Sequence, residues 1–272
     1  MAETSGGLIN GPQPRDHRVL FDTVAELYDR ARPTYPAELF DDIVALSAIP
    51  DGGRILEIGP GTGQATLPMA ERGYRITAVE LGPNLAAVAR RNLAAYSNVD
   101  VQVGAFEEWP LLDERFDLVM CFSAFHWLDH EVALPKIAAA LRPGGALAYT
   151  TGGHVEGGTS QFFIDVQDCY VRHMPGTPPG LRLDAPENIA LESPITDASG
   201  LFEPAQHHRY VWLRNFTTQT YIDELNTYSA KLALSVEDRT ALLACIRTMI
   251  DERYDGRITK SYLTDLHVAR RA

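Results

Sequence analysis

Three glycines at alternate positions separate a predicted strand from a predicted helix, and they constrain the fold more than any other feature. Gly59, Gly61 and Gly63 follow an apolar run at 55–58 that predicts a buried strand, and a helical pattern at 64–72 follows them. Glycine allows a sharp turn and lets a ligand approach the backbone closely. A helix behind such a turn directs free N–H groups toward the ligand. The pattern predicts a nucleotide-binding loop, with an ordinary glycine-rich turn as the alternative.

A carboxylate ends the next predicted strand. The apolar stretch at 75–80 closes with Glu80, seventeen positions after Gly63. In a βαβ unit, an acidic residue about 20 positions beyond the glycine loop lies beside that loop and accepts hydrogen bonds from the ribose hydroxyls. We therefore expect Glu80 to bind the ribose of a nucleotide cofactor.

The spacing of the glycines distinguishes two classes of cofactor. The dinucleotide fingerprint is G-x-G-x-x-G, whereas residues 57–63 read E-I-G-P-G-T-G. An acidic residue followed by G-x-G-x-G resembles motif I of the class I S-adenosylmethionine-dependent methyltransferases. That resemblance implies S-adenosylmethionine as the cofactor and argues against a nicotinamide-dependent dehydrogenase.

Composition and charge disfavour several other classes of protein. The net charge of −12 argues against nucleic acid as a partner, because neutralising phosphates requires basic patches. No apolar run approaches the ~20 residues of a membrane span, and the N-terminus has no export signal. Three scattered cysteines give neither a disulfide framework nor metal-ligand spacing. We expect a soluble, cytoplasmic protein with no membrane partner and no metal, as a monomer or a homodimer.

Strand and helix patterns alternate along the whole chain. Helices are predicted at 16–30, 37–47, 64–72, 82–96, 132–141, 159–174, 217–231 and 236–253, and strands at 55–58, 75–80, 99–103, 116–122, 146–150, 207–213 and 258–268. This alternation predicts an α/β fold with a doubly wound, Rossmann-like sheet. We expect seven mostly parallel strands, an antiparallel final strand and a cap insertion. Ligands of such sheets bind beyond the carboxyl ends of the strands.

The chain divides into four predicted parts. Residues 1–14 form a mobile tail, and 15–152 form the S-adenosylmethionine-binding core with N-terminal lid helices. Residues 153–205 form a substrate cap, and 206–272 complete the sheet and add a helical pair. Insertions over such a sheet often determine the substrate. The alternative is an insertion that only thickens the core.

The stretch at 28–36 reads Y-D-R-A-R-P-T-Y-P. It resembles the lid-like N-terminal segment of small-molecule methyltransferases in the type 11 and trans-aconitate methyltransferase-like group. The resemblance implies that Tyr28 or Arg32 meets the methionyl carboxylate of the cofactor. In the alternative interpretation, Tyr28 packs in the core and Arg32 is a solvated capping residue.

Two later loops extend the resemblance. Ala105 stands where relatives often carry an acid that contacts adenine, so this contact passes to the backbone near Phe106 or to Glu107. The string F-S-A-F-H-W-L-D at 122–129 resembles the segment that lines the methionine and sulfonium region. The resemblance implies further cofactor contacts from Glu57, Gly59, Pro60, Gly61, Thr62, Gly63, Leu81, Ser123, His126 and Trp127.

The predicted function is transfer of a methyl group from S-adenosylmethionine to a small-molecule acceptor by in-line displacement. Alignment of the reactants alone supplies much of the rate of such a reaction. Where the acceptor must lose a proton, His126 and His154 are the candidate bases, because they follow predicted strands four and five. The alternatives are a non-catalytic module that binds S-adenosylmethionine or S-adenosylhomocysteine, and a methyltransferase fold repurposed for another reaction.

Overall fold

The computed structural model describes residues 15–111 and 115–272, so the predicted mobile tail at 1–14 lies outside the described residues. Contacts divide the chain into two compact units. We call Pro33–Thr151, Leu191–Tyr210 and Thr264–Ala272 the sheet unit. We call the other one the helical unit; it comprises the described residues up to Arg32 together with Gly152–Ala190 and Val211–Leu263.

Seven strands of the described residues form one sheet, in the order β3-β2-β1-β4-β5-β7-β6. The strands are β1 (Arg54–Ile58), β2 (Arg75–Glu80), β3 (Val99–Val103), β4 (Phe116–Cys121), β5 (Leu141–Val155), β6 (Gln206–Thr217) and β7 (Arg257–Arg270). β1 pairs in parallel with β2 and β4, β2 with β3, and β4 with β5. The final strands are antiparallel. The predicted α/β fold with a mostly parallel, seven-stranded sheet is confirmed.

The strand order places a switch point between β1 and β4. After β1 the chain adds β2 and β3 on one side, and it then returns to add β4 and β5 on the other. Loops that leave adjacent strands in opposite directions open a crevice at their carboxyl ends. β1 is the third of the seven strands in this order, and four of its five residues are buried, as expected of a covered parallel strand.

The described residues contain eleven α-helices. They are α1 (Ala25–Ala31), α2 (Ala37–Ser47), α3 (Thr66–Glu71), α4 (Pro83–Asn92), α5 (His130–Ala140), α6 (Ser160–Asp165), α7 (Gln167–His173), α8 (Pro194–Ser199), α9 (Thr218–Leu225), α10 (Ser229–Leu232) and α11 (Val236–Arg253). Short 3₁₀ segments occur at Arg15–Val24, Phe125–Trp127 and Pro186–Asn188. None of the helices described here is long and apolar enough to cross a membrane.

Several predicted elements have different bounds in the structure. The helix expected at 16–30 is 3₁₀ as far as Val24 and α-helical only afterwards. The helix expected at 64–72 begins two residues later, at Thr66. The helices expected at 159–174 and 217–231 are each broken, at Val166 and after Leu225. α8 lies between 174 and 207, where the sequence predicts no helix or strand.

β5 is the largest difference, because it extends from Leu141 to Val155 instead of covering only 146–150. The R-P-G-G stretch at 142–145 has the composition of a turn and lies just before the predicted strand. It instead forms a bulge, where the register with β4 shifts between Phe116 and Leu118. Gly144 supplies the left-handed φ of 73° that this irregular backbone requires.

The sheet unit has two apolar clusters and the helical unit has a third. Aromatic residues of α6, α7 and α9 dominate the third cluster, including Phe162, Phe163, Tyr170 and Tyr221. The expectation that the cysteines form no disulfide is wrong. Cys169 of α7 and Cys245 of α11 are joined in the helical unit although 76 positions separate them. Packing of the two helices brings these cysteines together, and their sequence spacing gives no sign of it.

Candidate active site

The glycine loop follows β1 in the sheet unit and has a backbone that favours glycine at each of the three positions. Gly59, Gly61 and Gly63 have φ values of 67°, 61° and 98°. A Cβ at Gly59 would lie 2.8 Å from the Cβ of Ala124, so this position also lacks space for a side chain. Gly59 N donates to the carbonyl of Val79 at 2.9 Å, which joins the loop to the end of β2. The loop is a fixed backbone cradle.

Glu80 connects this loop with the one after β2. Its carboxylate is buried and accepts from Gly61 N and Gly82 N, each at 2.9 Å. Leu81 directly follows the strand, between Glu80 and Gly82. A carboxylate can accept about four hydrogen bonds, so these backbone donors are compatible with additional donors such as ribose hydroxyls. The backbone donors fix the orientation in which Glu80 presents its carboxylate.

Glu57 is a second buried carboxylate, two residues before Gly59. It is 1% exposed, and its Oε2 has no hydrogen-bond partner among the described residues. Burial raises the pKa of Glu57 to about 7, and the charge of Glu80 adds to this effect. A buried carboxylate without a donor is unfavourable. The positively charged ammonium group of a methionyl ligand would stabilise the charged form of the Glu57 carboxylate. The residues present therefore fit S-adenosylmethionine.

Hydrogen bonds within the loop and from α4 fix the middle of the glycine loop. Pro60 O accepts from Gly63 N at 3.0 Å, and Thr62 O accepts from Asn92 Nδ2 of α4 at 3.0 Å. Thr62 is buried, and its hydroxyl accepts from Gln64 Nε2 at 2.7 Å. The N–H groups of the three glycines are likewise bonded within the protein, to Val79 O, the Glu80 carboxylate and Pro60 O. The contribution of the loop to a ligand is therefore a backbone without side chains, which a ligand can approach closely.

The loop after β3 carries the predicted adenine contacts. Ala105 O accepts from Trp109 N at 2.9 Å in a tight turn. Phe106 is buried in an apolar cluster of the sheet unit, with the ammonium of Lys136 5.4 Å from its ring centroid. Glu107 Oε1 accepts from Asp129 N at 3.3 Å, which connects this loop with the segment after β4.

The segment after β4 contains the most strained backbone of the site. Ser123 has a φ of 52°, a conformation that non-glycine residues adopt rarely and often at functional sites. Its N–H donates to Thr150 Oγ1 at 3.1 Å, and its hydroxyl lies 2.8 Å from Tyr35 OH. His126 is exposed, and its ring lies 5.0 Å from the ring of buried Trp127.

Tyr35, Thr150 and Asn92 support the site but were not among the predicted site residues. Tyr35 stands in the quoted stretch at 28–36, where the resemblance favoured Tyr28 and Arg32 instead. Thr150 is the last residue of the strand predicted at 146–150, and ligands bind beyond the carboxyl ends of such strands. Its position could therefore have indicated a site residue. Asn92 lies on α4 with no sequence signal that distinguishes it from other surface amides.

Tyr28, Arg32 and His154 lie in the helical unit, unlike the other predicted site residues. Arg32 donates from Nε and Nη2 to the hydroxyl and carbonyl of Thr227, each at 2.8 Å. The Tyr28 ring lies 4.9 Å from the guanidinium of Arg32. His154 packs edge-on against Phe163, with 4.1 Å between the ring centroids. Burial lowers the pKa of His154 well below its usual value, and the charge of Lys260 acts in the same direction.

The fold and this site define a class of protein. A glycine loop after β1, a buried acid at the end of β2 and a strained turn after β4 meet at the switch point of a doubly wound sheet, as in class I S-adenosylmethionine-dependent methyltransferases. Residues 56–149 match a family described as methyltransferase domain. An uncharacterized methyltransferase of Mycobacterium tuberculosis is 30% identical over 239 residues, which cover 87% of each chain. The chain belongs to the methyltransferase family, and it is an S-adenosylmethionine-dependent enzyme.

Solved structures share this fold. A candidate type II methyltransferase of Anaeromyxobacter dehalogenans has a TM-score of 0.61 at 23% identity, covering 88% of this chain and 97% of its own. Phosphoethanolamine N-methyltransferase 2 of Haemonchus contortus, solved with phosphomonomethylethanolamine and S-adenosylhomocysteine, has a TM-score of 0.51 at 18% identity. It covers 92% of this chain and 57% of its own. The finer likeness to the trans-aconitate group stays a prediction.

Proposed function

We propose that the sheet unit binds S-adenosylmethionine at the loops after β1, β2, β3 and β4, and that the enzyme methylates a small-molecule acceptor. The observation that carries the proposal is the pair of buried carboxylates beside the glycine loop. Glu80 is held by two backbone donors, whereas Glu57 Oε2 has no donor among the described residues. One carboxylate is thus preoriented for neutral hydroxyls, and the other needs a cation.

The chain's residues have separate roles in this proposal. Glu80 accepts from the ribose hydroxyls, Glu57 binds the ammonium group, and the glycines, which lack side chains, let the ligand approach the loop backbone closely. Ala105, Phe106 and Glu107 border the adenine, while Ser123, His126 and Trp127 border the methionyl part. When bound, the cofactor supplies an activated methyl group on a sulfonium leaving group. The protein then contributes mainly alignment, which accounts for several kcal/mol of rate enhancement.

The helical unit has the proposed role of selecting the acceptor, as the predicted cap at 153–205 implies. Aromatic side chains of α6 and α7, with those of α9, give this unit an apolar cluster separate from the sheet core. Acceptor discovery requires incubating the enzyme with S-adenosylmethionine and a metabolite extract, and detecting a new product about 14 Da heavier than its precursor. A protein that binds the cofactor tightly but modifies no metabolite would favour the non-catalytic binding module.

Replacement of Glu80 tests the cofactor site. We expect Glu80→Ala to weaken S-adenosylhomocysteine binding about 10- to 150-fold, because charge-assisted hydrogen bonds contribute roughly 1.5–3 kcal/mol. Isothermal calorimetry measures this affinity, with NAD as the ligand that should give no heat. The matched control is Glu203→Ala, which removes an exposed acid of the sheet unit. Equal affinities of Glu80→Ala and the wild type would refute the ribose contact.

A further inference from the structure

A groove in the helical unit lies between α7 and α11, and none of its residues is assigned to the cofactor. We call it the disulfide groove: residues from 168–173 line one side, residues from 241–253 line the other, and Cys169 and Cys245 are among them. Its volume is about 420 Å³, within the range of ~300–1,000 Å³ that is usual for small-ligand sites. The disulfide therefore borders a cavity large enough for a small molecule.

The two cysteines of the disulfide differ in exposure. Cys169 is fully buried, whereas Cys245 is partly exposed. Ala241 and Ala244 also line the groove on α11, and their short side chains leave space beside Cys245. A disulfide is opened by a thiolate that attacks whichever sulfur it can reach, and exposed disulfides are the labile ones. The groove therefore favours attack at Cys245.

Each side of the groove carries charges of both signs. Asp168 and Arg172 line it on α7, and Glu252 and Arg253 line it at the end of α11; all four are exposed. Arg253 Nη1 lies 3.9 Å from Asp165 Oδ2. A guanidinium group binds carboxylates through charge-assisted hydrogen bonds, and the acids attract a positively charged group. The charges of the groove therefore complement a ligand that carries both carboxylate and ammonium groups.

We propose that the disulfide groove is a site of thiol–disulfide exchange, where a small thiol with carboxylate and ammonium groups bonds covalently to Cys245. The thiolate of this ligand attacks Cys245 Sγ and forms a mixed disulfide, while the bond to Cys169 Sγ breaks. The electron pair of that bond leaves with Cys169, whose thiolate takes up a proton from water. The inference goes beyond the proposed function and does not depend on it.

A second ligand molecule completes the exchange. Its thiolate attacks the ligand sulfur of the mixed disulfide, and Cys245 leaves as a thiolate that is protonated by water. The protein disulfide is then reduced by two electrons, and two ligand thiols are oxidised to one ligand disulfide. Exchange thus removes the covalent link between α7 and α11, both of which contribute to the apolar cluster of the helical unit. A thiol of this class regulates the stability of that unit.

Saturation of the exchange rate is the signature of binding in the groove. Glutathione carries the proposed carboxylate and ammonium groups, whereas 2-mercaptoethanol is a thiol with neither. Disulfide-bonded wild type is incubated with each thiol over a range of concentrations, quenched with acid, alkylated and analysed by mass spectrometry. The rate with glutathione should saturate at about 1–10 mM, a range of weak binding. The rate with 2-mercaptoethanol should rise in proportion to its concentration.

Arg172→Gln tests the charge of the groove. Below saturation we expect it to slow exchange with glutathione about 3-fold or more, the effect of losing an exposed ion pair. Exchange with 2-mercaptoethanol should be unchanged, because that thiol has no carboxylate. Arg257→Gln is the matched control, since it removes a positive charge from an exposed residue of the same unit that does not line the groove.

Single replacements of the two cysteines identify the sulfur that is attacked. Cys169→Ala keeps the partly exposed cysteine, and Cys245→Ala keeps the buried one. After incubation with oxidised glutathione, Cys169→Ala should carry one glutathione at Cys245, whereas Cys245→Ala should carry none at Cys169. Peptide mapping by mass spectrometry locates the modification. If either variant fails to fold, the mixed disulfide trapped in acid-quenched wild type identifies the attacked cysteine.

Two results would overturn the proposal. One is a rate with glutathione that rises without saturation and is the same in wild type and Arg172→Gln, because exchange would then need no bound ligand. The other is a mixed disulfide at Cys169 instead of Cys245. Saturation with glutathione alone, together with modification at Cys245, would support it.

Discussion

Two neighbouring carboxylates at the glycine loop differ in their protein partners, and this difference separates their roles. Glu80 accepts from two backbone N–H groups, whereas Glu57 Oε2 has no donor in the described ranges. Backbone donors stabilise the charged form of Glu80 whether or not a ligand is bound. Glu57 reaches a comparable state only when a cation is near. A ligand with a positive charge close to Glu57 would therefore stabilise its charged form.

Replacement of Glu57 should change how stability depends on pH. Its pKa rises from 4.5 to about 7 on folding, so the folded protein binds more protons than the unfolded chain between these values. The stabilisation from this group is complete below pH 4.5 and is lost as the pH rises through about 7. A shift of this size corresponds to about 3 kcal/mol. We expect ligand-free wild type to lose this much stability relative to Glu57→Gln between pH 4.5 and 8, as measured by urea unfolding.

S-adenosylhomocysteine provides the control for this prediction, because its ammonium group offsets the charge of Glu57. Saturation with that ligand should reduce the difference between the two pH profiles. Parallel profiles of wild type and Glu57→Gln without ligand would show that Glu57 has an ordinary pKa in the folded protein.

At the scale of elements, the sequence predicts best those helices and strands whose ends carry local signals. α11 begins after Ser235, whose side chain accepts from Asp238 N, and α2 follows Pro36; both helices have the predicted bounds. β2 and β3 also have the predicted bounds: β2 is a short, mostly apolar strand, and β3 alternates apolar and polar residues as V-D-V-Q-V. The location of the cofactor loops follows from these strands, since ligands bind at their carboxyl ends.

Elements that depend on tertiary packing could not be predicted in this way. R-P-G-G at 142–145 has the composition of a turn, yet pairing with β4 makes it a bulge within β5. Val166 breaks a predicted helix without glycine or proline. Arg32 donates to Thr227, 195 positions away in the sequence, and Glu224 accepts hydrogen bonds from Tyr228 and Lys260. Contacts over such separations leave no periodic pattern in the chain.

The disulfide between α7 and α11 should stabilise the helical unit. A crosslink between residues 76 positions apart restricts the unfolded chain, and disulfides typically contribute about 2–4 kcal/mol. We expect the double variant Cys169→Ala, Cys245→Ala to be less stable by about this amount in urea unfolding. A reductant should lower the stability of the wild type and leave that of the variant unchanged.

Alkylation checks the bond itself. Unfolded, unreduced wild type should expose the thiol of Cys121 but not those of Cys169 and Cys245, as shown by the mass added. Three alkylated cysteines would contradict the pairing. Disulfides persist mainly in oxidising compartments, so the pairing also argues against the predicted cytoplasmic location, which stays a prediction.

At the scale of the whole molecule, the two candidate bases belong to different units. His126 lies in the strained segment after β4 of the sheet unit, whereas His154 lies in the helical unit. His126 is exposed, while the Nε2 of His154 is buried without a partner among the described residues. Identification of the base would therefore show which unit takes the proton from the acceptor. A carboxylate, phenolate or neutral amine as the nucleophile needs no base at all.

Single variants of both histidines separate these outcomes once an acceptor is known. We expect His126→Ala and His154→Ala each to lower kcat by less than about 10-fold, because alignment of the reactants supplies most of the rate. A loss above about 100-fold in one variant, with unchanged S-adenosylhomocysteine binding, would instead identify that histidine as the base.

The pH dependence of turnover provides an independent test of His154. Burial holds the pKa of His154 well below 6.5, so turnover that requires neutral His154 should stay constant as the pH falls through 6.5. A rate that instead decreases as the pH falls through about 6.5, the usual pKa of histidine, would exclude His154 as the base.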